Sequence, residues 1–280
     1  MYDAGYTRAF YDAYGGREWE RLEGSVAGRL KAVVHADFIE RYVGRGDRVL
    51  DAGCGPGRFT VTAAELGATV TALDLSEGQL ELARATVADA GVSGAVEAFV
   101  TGDIADLSMF GDGQFDAVIC YGGALSYVCD QRHVAAAELV RVVRPSGVLL
   151  VSVMSRLGTM ATLVRRPQMY ILEDPEKWHV WRVAEHGDLP GFPSPEMELE
   201  HPPMHMYRSD ELRGLFPDCE VLELAGSNVT TSGESAAANE ILESPEAWAT
   251  AVELERALCR EPGLVDGGTH LILVGRKVDR

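Results

Sequence analysis

Three glycines at alternate positions, Asp51-x-Gly53-x-Gly55-x-Gly57, follow the apolar run "RVLDAG" and precede a helix-like stretch. Without a Cβ, glycine turns the backbone sharply and lets a ligand come close to the main chain. In an open parallel sheet that approach happens beyond the carboxyl ends of the strands. A nucleotide-like ligand is therefore expected over residues 53–57. A dinucleotide of the GxGxxG type is disfavoured, because the third glycine would fall at 58, where Arg58 stands. No GxxxxGK followed by Ser or Thr occurs either, which excludes a P-loop.

Acids mark the same strand ends. Asp74, with Leu75 beside it, closes the run "TVTALDL" and is placed to accept both hydroxyls of a ribose. Asp103 in "TGDI" is placed to accept from an adenine amino group, with Ile104 packing on the ring. Asp51, just before the turn, suits a cationic amino group or a water network. Together they describe a ligand that is cationic and carries a ribose and an adenine. They suit a pyrophosphate poorly.

The elements that must position these residues follow from periodicity. Strand-like runs at 48–53, 69–75, 95–103, 115–122 and 147–155 alternate with helical patterns. "SEGQ" at 76–79 has capping-box spacing, and residues 137–147 read as a helix stopped by Pro145 and Gly147. Strand–helix–strand succession implies a doubly wound, mostly parallel sheet. Residues 156–207 break the rhythm with prolines and histidines and show no clean strand. Regular order returns with a helix at "RSDELRGLF", a strand at 219–226, a helix capped by Ser244 with Pro245 at its first position, and a strand at 269–277. The late strand pair reads as a terminal hairpin.

Composition narrows the classes. The chain has 280 residues, 46% of them hydrophobic, and a formal net charge of −18, which disfavours a nucleic-acid partner. No apolar run is long enough to span a bilayer and no secretory pattern opens the sequence, so no membrane partner and a cytoplasmic location are expected. The five cysteines are scattered without metal-ligand spacing, and no metal is expected.

These segments resemble the class I S-adenosylmethionine-dependent methyltransferases. "VLDAGCGPG" matches that family's first motif, "ALDLS" its second-strand acid and "GDI" its adenine-side acid. "FDAVICYGGALSYV" matches the fourth-strand segment, and "LVRVVRPSGVLLVSV" the helix-to-strand segment, with Ser146 where glycine is usual. The resemblance covers about residues 45–155. It implies S-adenosyl-L-methionine as cofactor, a seven-stranded sheet with an antiparallel last strand, and an N-terminal lid whose tyrosine contacts the cofactor. Tyr11 is the candidate, within "YTRAFYDAYGGREWERL". The expected divisions are an N-terminal helical lid over 1–44, a cofactor-binding core over 45–155 and 208–280, and a substrate-cap insertion over 156–207 after the fifth strand.

Methyl transfer is an in-line displacement, so alignment in a dry cavity matters more than a conspicuous catalytic motif. The cap's Trp178, Trp181, Phe192, Met204 and Met206 suit an apolar acceptor pocket. His205 and His201 are the leading candidates for a base, with His133 as another, and Tyr121 and Tyr127 stand where an acceptor would be oriented. The expected reaction is methyl transfer to an O, N or C nucleophile of a small molecule, plausibly a specialised metabolite, by a monomer or homodimer. A non-catalytic or regulatory cofactor-binding protein of the same fold is the alternative, and a nicotinamide-dependent oxidoreductase a more distant one.

Overall fold

Strands covered on both faces are buried on both, and the central ones here are mostly apolar, with Asp51 and Thr71 as buried polar exceptions. β1 (Arg48–Ala52) buries its last four residues and β2 (Thr69–Asp74) its middle four. The computed structural model describes residues 1–163, 179–192, 197–231 and 236–278. Three helices precede β1, namely α1 (Ala4–Tyr14), α2 (Arg17–Glu23) and α3 (Val26–Tyr42). The chain then alternates through α4 (Arg58–Glu65), β2, α5 (Glu77–Asp89), β3 (Val96–Thr101) and β4 (Phe115–Cys120). Next come the short α6 (Ala124–Tyr127), α7 (Arg132–Val142) and β5 (Val143–Met154). Beyond β5 lie α8 (Arg156–Leu163), α9 (His179–His186), β6 (Asp188–Leu189) and β7 (Met204–His205). The chain ends with α10 (Ser209–Gly214), β8 (Cys219–Ser227), α11 (Pro245–Leu258) and β9 (His270–Lys277).

The main sheet has seven strands in the order β3-β2-β1-β4-β5-β9-β8. Its first five strands are mutually parallel, and β9 runs antiparallel to both its neighbours. Strand order reverses at the β1/β4 junction, where such sheets open a crevice for ligands. One face packs Val34 and Phe38 of α3 against Val49, Ile119 and Ile272. The other packs Leu139 of α7 and Leu212 of α10 against Leu50, Val118 and Val151. Among the described residues no helix is long and apolar enough to cross a membrane.

Local signals land where chemistry requires. The Ser76 hydroxyl caps α5 by accepting from the Gln79 amide at 3.0 Å, and Ser244 caps α11 with Pro245 at its start. Two expectations need correction. α7 stops at Val142, not at Pro145 or Gly147, because both lie inside β5, where pairing with β4 slips in register between Phe115 and Ala117. Ser146, in the usual glycine place, takes φ 59°, a left-handed conformation that costs a side-chain-bearing residue. The region 156–207 does contain strand: β6 and β7 pair antiparallel, Asp188 with His205 and Leu189 with Met204.

Candidate cofactor and acceptor site

The glycine turn is built as its sequence demands. Gly53, Gly55 and Gly57 all have positive φ, at 84°, 51° and 86°. The Gly53 and Cys54 amides donate to the Leu73 carbonyl at 2.7 and 2.9 Å, folding the turn over the end of β2. A Cβ on Gly53 would stand 2.6 Å from the Ala124 Cβ, so the start of α6 is seated directly on the turn. Gly57 does a different job from that expected. It lies beneath the turn, where a Cβ would meet the Ala83 Cα at 3.0 Å, and it lets α5 pack close.

A cavity runs across the carboxyl ends of β3, β2, β1 and β4, lined in that order by Asp103 and Ile104, by Asp74 and Leu75, by Gly53 and Gly55, and by Tyr121. Asp74 accepts from the Gly55 amide at 2.8 Å and the Ser76 amide at 2.9 Å, so the acid itself ties the turn to the start of α5. Burial pushes its carboxyl up to about 6. Asp103 accepts from the Ala105 amide and from the Tyr2 hydroxyl, both at 2.8 Å. Asp51 departs from its expected role. It is 1% exposed, accepts from the Thr60 hydroxyl at 2.6 Å beneath the turn, and is absent from the lining. Its carboxyl is pushed up to about 7, again chiefly by burial.

The β4 end carries residues that the sequence reading did not single out. His35 and Lys31 reach the cavity from α3. The His35 ring stands edge-on to Tyr121 at 4.7 Å. Its Nδ1 is 2.7 Å from the Lys31 carbonyl and its Nε2 2.9 Å from the Ser152 hydroxyl. A carbonyl only accepts, so Nδ1 carries the hydrogen and Nε2 accepts from Ser152. Burial lowers the imidazole to about 3, so His35 is neutral and its lone pair is already engaged. Its sequence signal, a histidine four residues after a lysine on an otherwise apolar helix face, is that of a core residue. Arg58, whose presence breaks the dinucleotide fingerprint, also lines the cavity, with its guanidinium 4.1 Å over the Trp19 ring and paired to Glu23. Three buried polar atoms here have no partner among the described residues: Arg58 Nε, Gln79 Oε1 and the Tyr121 hydroxyl.

α1 closes the cavity from above. Tyr11 lines it, and the Tyr11 carbonyl accepts from Gln79 Nε2 at 3.1 Å. Asp12 accepts from the Ser76 hydroxyl at 2.5 Å, and the Tyr6 hydroxyl donates to the Glu200 carbonyl at 2.8 Å. The helix thus touches both the core and the segment after β5.

The histidines separate sharply. His205 is 1% exposed, with Nδ1 2.7 Å from Asp188 and Nε2 2.6 Å from Glu211. Both nitrogens are engaged by carboxylates, so neither is open to a substrate proton, and His205 is absent from the cavity lining. The expectation that it is the base is overturned. Burial works to raise the Glu211 carboxyl, but its bonds to His205 and the charge of Arg156 hold it below the usual range. His133 is exposed at the start of α7, off the cavity. His201 is half-buried, stacked on Phe192 at 4.6 Å, and its Nε2 lies 3.3 Å from the hydroxyl of Tyr127, which lines the cavity. Met204 and Met206 pack with Val183 and Leu189 into a small core of their own, which Tyr127 and Phe192 flank. Trp178 and the side chain of Trp181 lie outside the described residues.

Comparison with known proteins agrees with this geometry. Residues 49–147 match the family described as "Methyltransferase domain". The malonyl-[acyl-carrier protein] O-methyltransferase of Serratia marcescens is 36% identical over 129 residues, 44% of this chain and 47% of that protein. The ubiquinone biosynthesis O-methyltransferase of Thiobacillus denitrificans is 36% identical over 128 residues, 46% of this chain and 53% of that one. The chain thus spans about half the length of these curated relatives. The solved structure of the [4+2]-cyclase SpnF superposes with a TM-score of 0.61 at 16% identity, covering 99% of this chain and 97% of that one. A Burkholderia thailandensis 1,6-didemethyltoxoflavin-N1-methyltransferase, solved with S-adenosylhomocysteine, gives 0.56 at 18% identity over 99% of this chain and 89% of that one. Residues 49–147 match a methyltransferase domain, and the whole chain has the fold of solved methyltransferase structures.

Proposed function

We infer that the protein transfers a methyl group from S-adenosylmethionine to an oxygen of a small-molecule acceptor. The cavity carries this reading. It offers acids at the β2 and β3 ends, a glycine turn open to close approach at β1, and cationic groups toward α3 and α4. The residues fit the cofactor's chemistry. Asp74 takes the ribose hydroxyls, and Asp103 with Ile104 and Leu75 holds the adenine. Arg58 Nε, buried and without a partner among the described residues, is an orphan donor suited to a carboxylate, with Lys31 adding charge on the same wall. When bound, the cofactor supplies a methyl carbon on a sulfonium, so the reaction needs alignment and dryness rather than redox chemistry. α1 and the described part of the segment after β5, joined to each other by the Tyr6–Glu200 bond, exclude water. The choice of oxygen is supported by the relatives, both named as O-methyltransferases.

Calorimetry and thermal unfolding with S-adenosylhomocysteine, with NAD as control, test the site. At about 100 times its dissociation constant the ligand should add roughly 2.7 kcal/mol of stability. No shift in a folded sample would sink the reading, and a shift with NAD alone would turn it toward an oxidoreductase. Release of S-adenosylhomocysteine in a screen of acceptors separates a transferase from a protein that only binds.

A further inference from the structure

We propose that Tyr127 and His201 form a proton relay at the acceptor end of the cavity, and that the acceptor is a protonated hydroxyl on a flat ring, a phenol or an enol. This rests on the methyl-transfer reading above and names its acceptor class.

Tyr127 closes α6, the helix whose first residue, Ala124, sits on the glycine turn. Its side chain lines the cavity with Gly122 at the end of β4 and with Tyr11 of α1, whose ring meets it edge-on at 5.5 Å. On its far side the phenol meets His201 from the cap, with Oη 3.3 Å from Nε2. The direction of that bond is fixed by the other ring nitrogen. His201 Nδ1 lies 2.9 Å from the Pro202 carbonyl, which only accepts, so Nδ1 carries the hydrogen and Nε2 accepts from Tyr127. The imidazole is held in this pose by Phe192, stacked at 4.6 Å and 13°, and by Phe10 at 5.2 Å. In the neutral ring, this pose leaves Nε2 to receive a proton through Tyr127.

The other candidates for this task are committed elsewhere. Both His205 nitrogens are engaged by carboxylates outside the cavity, and the His35 lone pair is engaged by the buried Ser152. As the acceptor oxygen bonds the methyl carbon, the S–C electron pair stays on sulfur. The acceptor's proton passes to Tyr127 Oη while the Tyr127 proton passes to His201 Nε2. One positive charge leaves sulfur and one appears on the imidazolium, which returns its proton to water after product release. Tyr127 is the group that touches the acceptor, and His201 is a positioning residue acting through it. The rings of Tyr11, Tyr121, Tyr127 and Phe59 all line the cavity, and such walls suit a planar acceptor.

The test uses the full-length protein, Tyr127→Phe and His201→Gln, with S-adenosylhomocysteine affinity as the check on folding and cofactor binding. Four probes serve as acceptors: phenol and 4-nitrophenol, with benzylamine and benzoate as controls. 4-Nitrophenol is ionised near neutral pH, whereas phenol resembles tyrosine at about 10 and is not. The wild type should methylate phenol, and each variant should lose about 10²–10⁴-fold of that rate, with a much smaller loss toward 4-nitrophenol. In the variants the residual rate should climb with pH along the phenolate fraction. A second readout needs no turnover. In wild-type protein loaded with S-adenosylhomocysteine, bound 4-nitrophenol should show its phenolate absorbance at lower pH than in either variant. Equal losses toward both phenols, an unchanged absorbance titration, or methylation of benzylamine or benzoate but neither phenol would each overturn the relay. So would S-adenosylhomocysteine binding with no turnover of any of the four probes. Failure of the wild type to bind S-adenosylhomocysteine would instead strike the methyl-transfer reading itself.

Discussion

Asp74 accepts from the Gly55 and Ser76 amides while lining the cavity, so one carboxylate both fixes the turn and faces the space assigned above to the cofactor. Asp74→Ala should therefore weaken S-adenosylhomocysteine binding by about 1.5–3 kcal/mol, roughly 10- to 100-fold, and also cost some stability because two amides lose their acceptor. Calorimetry and thermal unfolding separate the two effects, and unchanged affinity would show that the ribose is held elsewhere. The charge state of this region sets a pH dependence. Burial raises Asp74 to about 6 and Asp51 to about 7, both above an unfolded value near 4. Between those limits the folded state binds more protons than the unfolded chain, so these two acids make the ligand-free protein less stable as pH rises from about 4 to about 7. Cofactor binding runs the other way, because the ribose and the sulfonium favour ionised acids. The thermal shift produced by S-adenosylmethionine should grow across pH 5 to 7, and Asp51→Asn should flatten the ligand-free profile. A pH-independent shift would contradict the assignment of Asp74.

Above the level of single residues, legibility followed sequence distance. The glycine turn and its acids are set by contiguous segments, because glycine forces the backbone and parallel pairing puts the ends of β1, β2 and β3 side by side. The meeting of Gly53, Gly55, Asp74 and Asp103 at one cavity was readable, whereas the roles expected of Asp51 and Gly57 were not. The roles of the histidines were not, because each depends on partners brought by packing. His205 finds Asp188 on β6 and Glu211 on α10, and His35 finds Ser152, 117 positions away on β5. A short ladder of two residues per strand left no periodic signal in a proline-rich stretch. The structure reassigns His205 as a pin of the segment after β5, joining β6, β7 and α10, with Arg156 completing the cluster through Glu211. His205→Ala should cost on the order of 1–3 kcal/mol, discounted from a fully buried pair because half the Asp188 side chain is exposed. S-adenosylhomocysteine affinity should change little, since the core cradle is untouched. Hydrogen exchange should rise in β6 and β7 before it rises in β1 or β4. A loss of turnover in a protein whose cap exchanges as slowly as the wild type would restore His205 to the chemistry.

At the scale of the whole molecule, a formal net charge of −18 surrounds a cavity to which the proposed function assigns a cation. S-adenosylmethionine carries a net positive charge and S-adenosylhomocysteine none, so the protein's field acts on the substrate cofactor and not on the product. A unit charge at about 10 Å in a water-like dielectric contributes about 0.4 kcal/mol. Several such acids, with Glu18 at the cavity itself, favour the sulfonium by about 1 kcal/mol beyond direct contacts. Salt removes the long-range part. The screening length falls from about 30 Å at about 0.01 M to about 3 Å at about 1 M. Over that range S-adenosylmethionine affinity should fall by about three- to tenfold, while S-adenosylhomocysteine affinity stays within about twofold. Both ligands share the adenine, ribose and carboxylate contacts, so their ratio isolates the sulfonium charge from everything else in the site. Parallel calorimetric titrations at low and high salt measure it. Equal salt dependence for the two ligands would mean that the surface charge serves solubility alone and that the cavity walls screen it from the sulfur.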